Sequence, residues 1–156
     1  MWIKIAGACL LLLSGGLWAE GRTRAERRAL ARVEAFGELF AHVGERIEGL
    51  CLPLDEILAS LPPPLLAACG CGEAPPTLAA LRAAMERTEG EAGELLRRSA
   101  ARLGQGTRED QVRLCRATAQ GLQACRERMA PALARDARAR RTLALCAGLG
   151  AVILLW

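Results

Sequence analysis

The 156-residue sequence holds no tyrosine, two phenylalanines, one histidine and one lysine. Each scarcity excludes something. With aromatics at 3%, an all-β fold lacks the side chains that pleated surfaces favour. The single histidine, His42, leaves little choice of general base. It also leaves one nitrogen for a zinc site, which wants four ligands in paired spacing. No glycine-rich phosphate loop is present, since Gly104-Gln105-Gly106 has neither a flanking strand nor a lysine. Carboxylate-histidine metal motifs are missing as well. The expectation is a protein that is not an enzyme, with no catalytic residue, metal or cofactor.

Cysteine is the exception, with seven residues. Cys69-Gly70-Cys71 is the one close pair. An odd count, in a domain expected to face a reducing compartment, argues against a disulfide framework. Cys115 and Cys125 fall near an apolar helical stripe, where core packing is the default.

What is abundant is Ala, Leu, Glu and Arg, a helix-forming mixture. A hydrophobic fraction of 52% rules out a disordered chain. The length suits one domain. Residues 20–141 carry 20 Arg against 17 Asp and Glu. These alternate as on a solvated helix surface and do not point to nucleic acid.

The ends differ from the middle. Residues 5–19 and 142–156 carry no charge. As a cleaved signal, the first would put Leu17 where a small residue is wanted. As an anchor from Trp2 to Ala19, with Lys4 snorkelling, it reaches about 27 Å, a short span. All three tryptophans, Trp2, Trp18 and Trp156, sit in these ends, and tryptophan prefers the membrane interface. Arg22, Arg24, Arg27, Arg28 and Arg32 follow the first stretch, and Arg135, Arg138, Arg140 and Arg141 precede the second. The positive-inside rule then places the middle in the cytoplasm. The expected organisation is a membrane span over 1–19, a cytoplasmic helical domain over 20–141 and a second span over 142–156.

Within the middle, residues 22–50 read as one helix. Val33, Phe36, Phe40, Val43, Ile47 and Leu50 step at helical spacing, with Leu30, Gly37, Gly44 and Cys51 as a parallel stripe. Pro53 starts a short helix over 54–61, Pro62–Pro64 stop it, and 69–76 is a turn-rich loop. Thr77 caps a helix to about Arg87. Thr88 with Glu91 matches a capping box for the next, which Gly104 and Gly106 end. Thr107 with Asp110 caps the last helix, carrying Val112, Cys115, Ala119, Leu122, Cys125 and Met129 inward. Pro131 should kink it. The fold class expected is all-α: an antiparallel helical bundle carried between two transmembrane helices.

Four segments resemble one family in order and position. They are the opening MWIKIAGACLLLLSGGLWA, Ile47–Leu58 around Pro53-Leu54, Leu103–Gln111, and the closing LALCAGLGAVILLW. The chain resembles stage III sporulation protein AB of endospore-forming bacteria. That family is similar to the inner-membrane platform protein of type II secretion systems. The middle, residues 62–88, is shorter than the family pattern. The resemblance implies a structural protein of the channel complex between mother cell and forespore. It would lie in the mother-cell membrane around the forespore, its domain facing the cytoplasm. Its partners would be the membrane, the secretion-type ATPase of that complex (stage III sporulation protein AA) and other channel components, with no nucleic acid. Homo-oligomerisation stays open. Pro53, Leu54, Gly104, Arg108, Glu109, Asp110 and Gln111 are the candidate partner contacts. The alternatives are a membrane-tethered binding or regulatory module unrelated to sporulation, and a secreted helical protein.

Overall fold

The computed structural model describes the backbone of residues 2–50, 52–72 and 77–155. It describes side chains from residue 20 onward, except at 51, 73–76, 141, 145, 148, 149 and 151–156. Every regular element among the described residues is a helix. They are α1 (Trp2–Leu50), α2 (Leu54–Ala59), α3 (Pro63–Cys69), α4 (Leu78–Glu86), α5 (Gly90–Arg102) and α6 (Arg108–Leu155). The chain divides into two compact units, one of residues 1–28 with 129–156, the other of 29–128.

In the second unit α1 and α6 run antiparallel. A Cβ added at Gly37 would meet Leu122 Cβ at 3.9 Å, and one at Gly44 would meet Cys115 Cβ at 3.1 Å. Glycine therefore lets the two backbones approach where the parallel stripe was expected. Cys51, the last member of that stripe, lies outside the described residues. Val33, Phe36, Phe40, Val43 and Ile47 are all buried, as their spacing requires. Leu50 is not: it is 56% exposed at the end of the helix. Ion pairs rim the seam, with Glu34 meeting Arg126 at 2.8 Å and Glu48 meeting Arg116.

Helix α5 packs on another side of α6, also antiparallel. The Ser99 and Thr118 hydroxyls meet at 2.8 Å, both buried, and Arg128 reaches Glu91 at 2.5 Å. Each hydroxyl also has a carbonyl of its own helix in reach, Leu95 O for Ser99 and Leu114 O for Thr118, so one hydroxyl donates across the pair while the other donates to its own carbonyl. That shared proton scheme satisfies a polar pair which would otherwise be costly to bury. The buried face of α6 is thus Cys115, Thr118, Leu122 and Cys125. Val112, Ala119 and Met129, expected inward, are half-buried.

Two local expectations are corrected. Pro62–Pro64 do not merely stop α2. Pro63 and Pro64 occupy the first turn of α3, where a missing N–H costs nothing. Cys69 then ends α3, followed by Gly70 in the left-handed region at φ 81°. The second correction concerns Thr88, which forms no capping box. Its hydroxyl donates back to Ala84 O at 3.4 Å, and Glu89 precedes α5 without a side-chain cap. The Thr88 carbonyl passes so close to Gly93 that a Cβ there would overlap it.

In the first unit an ion pair joins the two segments. Arg140 grips Glu26 with both terminal nitrogens, at 3.0 and 2.7 Å. The Arg140 guanidinium holds the Glu26 carboxyl below its usual range. Helix α6 continues through Pro131. Among the described residues no helix is long and apolar enough to cross a membrane. The spans expected over 1–19 and 142–156 fall largely on side chains outside the described residues.

Candidate functional site

The site is the end of the second unit where α1 stops, α2 starts and the α5–α6 loop turns into α6. It is built from helix-end chemistry. The last four carbonyls of any α-helix lack an intrahelical partner. In α1 these include Ile47 and Glu48. Arg108 supplies donors to both: its Nε donates to Ile47 O at 2.9 Å, and its Nη2 donates to Glu48 O.

The loop is fastened by one side chain. Gln111 Oε1 accepts from Gly104 N at 2.9 Å, and Gln111 Nε2 donates to Arg102 O at 3.2 Å and to Gln105 O. Gly104 and Gly106 both take positive φ, 82° and 91°, which favours glycine. Arg82 adds a tie from α4, donating to Leu103 O at 3.0 Å. Thr107 then starts α6 as expected. Its hydroxyl meets Asp110 Oδ2 at 2.7 Å and accepts from Asp110 N at 3.3 Å. The Thr107 hydroxyl and amide hold the Asp110 carboxyl below its ordinary value.

These ties leave two open grooves. One, of about 370 Å³, is lined by Ile47, Leu52, Pro53, Leu54, Gly104, Gly106, Arg108 and Gln111. The other, of about 590 Å³, runs along α6 and is lined by Arg108, Glu109, Arg113 and Arg116 with Glu48 across from them. Arg108 lies on both. Five of the seven candidate contacts therefore line one groove, Glu109 lines its neighbour, and Asp110 lies in the same turn. Two segments about 50 residues apart are brought to one end of the bundle. Sequence reasoning missed what Arg108 touches. A long-range bond to a backbone carbonyl leaves no trace in local spacing.

The remaining chemistry-bearing residues lie elsewhere. His42 Nε2 is buried without a hydrogen-bond partner among the described residues. Cys69 and Cys71 are buried rather than displayed on a loop. Burial pushes the Cys69 thiol up to about 12 and that of Cys115 to about 11, and it raises Cys71 as well. Among the described residues no three or more His, Cys, Asp or Glu side chains gather as a metal site would need.

No protein-family model matches the chain, and neither a curated protein nor a solved structure does.

Proposed function

We propose that the chain is a non-enzymatic, membrane-anchored platform protein that presents the Pro53–Leu54 and Gly104–Gln111 end of its bundle to a cytoplasmic secretion-type ATPase. The single observation that carries this is the convergence at that end. The residues singled out by the resemblance come from two distant segments and border two adjoining grooves. The uncharged stretches over 5–19 and 142–156 supply the anchors, and the flanking arginines orient the domain to the cytoplasm. The sporulation channel between mother cell and forespore is the assembly this reading names, with the stage III sporulation protein AA type of ATPase as partner.

Affinity recovery of the full chain from membranes containing that ATPase tests it. Wild type should retain the ATPase. Glu109→Arg reverses an exposed charge on the second groove without breaking an ion pair, and it should lower recovery at least tenfold while circular dichroism stays unchanged. Failure of the wild type to hold the ATPase would remove this reading and leave a membrane-tethered module of another system.

A further inference from the structure

The protein's positive charge is not spread evenly. Residues 29–128 carry 12 arginines against 14 carboxylates, a net −2. Residues 20–28 and 129–140 carry seven arginines against three carboxylates, a net +4. The first unit therefore holds the excess.

Ion pairs engage five of the twelve arginines of 29–128. In 29–128, Arg97 and Arg98 share Glu94, Arg116 meets Glu48, Arg126 meets Glu34, and Arg128 meets Glu91. In the first unit, Arg140 and Glu26 join the two segments, and Arg24 pairs with Glu20. Arg27, Arg28 and Arg138 are exposed and make no ion pair among the described residues. Arg22 is 63% exposed and only 3.9 Å from Glu26, at the limit of contact. Arg135 is exposed and unpaired as well, but its Nε donates to Pro131 O at 3.3 Å. That leaves Arg27, Arg28 and Arg138 as the cations with no partner among the described residues, in a unit whose inner charges are matched.

Their distance from the uncharged stretches decides what they meet. Arg28 lies nine residues beyond Ala19, about 14 Å along a helix, and Arg138 lies four before Thr142, about 6 Å. Those reaches match the headgroup zone plus one screening length of roughly 8 Å. Guanidinium groups bind phosphate oxygens through a planar fork of donors.

We propose that Arg27, Arg28 and Arg138 form a belt that binds the phosphates of anionic phospholipids at the membrane face. The inference rests on the membrane reading above. The belt selects the lipid composition around the protein, not merely its orientation.

The test uses the purified full chain reconstituted into phosphatidylcholine vesicles, with brominated phosphatidylglycerol or brominated phosphatidylcholine as quencher. All three tryptophans lie in the terminal stretches, so their quenching reports the lipid beside them. Phosphatidylglycerol should be preferred roughly fivefold or more at low salt, and the preference should shrink as salt is raised. The triple variant Arg27→Gln/Arg28→Gln/Arg138→Gln should show equal quenching by both lipids. Arg97→Gln/Arg98→Gln, in the other unit, should keep the preference. Insertion with equal quenching in the wild type, or a preference that survives the triple variant, overturns the belt and spares the membrane reading. Extraction of the wild type from vesicles by alkaline carbonate overturns the membrane reading itself. Displacement of phosphatidylglycerol by an RNA oligonucleotide would assign the belt to nucleic acid and overturn the proposal.

Discussion

Replacing Arg108 should loosen the end of α1. The residue donates to two carbonyls, Ile47 and Glu48, that the helix itself cannot satisfy. A charged donor contributes about 1.5–3 kcal/mol when sheltered. One of these bonds is partly buried and the other exposed, so about 1–2 kcal/mol for the two together is the reasonable scale. Arg108→Ala should lower stability by that amount. Arg108→Glu puts a carboxylate near the negative end of α1 but also at the first residue of α6, whose positive end favours it, so the two effects offset and the lost bonds set the cost. It therefore does not leave the fold untouched, as a purely surface contact would. Arg108→Lys keeps the charge but loses the planar fork, and should fall between wild type and Ala. For a unit of this size each kcal/mol moves Tm by about 4–8 °C. Thermal melting of the purified full chain by circular dichroism reads the series. Arg113→Glu, exposed on the same helix with no such bond, is the control and should change stability by less than about 0.5 kcal/mol. Equal melting of Arg108→Glu and Arg113→Glu would refute the capping argument. It would return Arg108 to the plain surface.

Three further outcomes are expected. Phe40→Asp places a carboxylate at a position with no exposure. The lost ring alone is worth about 3–5 kcal/mol, so the bundle should show no cooperative melt, and an unchanged Tm would contradict the core assignment. Gly93→Ala should destabilise the chain more than Gly121→Ala. The first meets the Thr88 backbone, the second only the flexible end of Leu95 at 2.6 Å, and comparing their melts checks this. The thiolate is the reactive form, and burial pushes the Cys69 thiol up to about 12, so little of it is competent at pH 8. Cys69 and Cys115 should therefore resist alkylation in the folded protein and react in denaturant, read by peptide mass. Labelling of Cys69 in intact cells consequently reports folding, and Glu109→Cys is the better reporter of which side the domain faces.

Much of the helical frame was legible because its punctuation is local. Thr107 with Asp110, Thr77, and the glycines at 104 and 106 act through neighbours within a few residues. Thr77 indeed accepts from Ala80 N at 3.2 Å. The α1 stripe was legible because burial imposes its period on sequence. The failures have separate causes. Thr88 and Glu91 have the spacing of a cap, but the carbonyl of Thr88 packs on Gly93 and Glu91 turns to Arg128. Pro62–Pro64 look like a stop because proline also starts helices. At the candidate site the participants were legible through the resemblance. The ties were not, since Arg108 reaches a carbonyl 61 positions away.

The pairing of α1 with α6 also sets a timetable. Glu48 and its partner Arg116 are 68 residues apart. At 5–20 residues per second a ribosome takes roughly 3–14 s to cover that distance. During that interval the Gly37 and Gly44 face of α1 has no α6 to meet. A newborn chain therefore carries an apolar helix face through several seconds of synthesis.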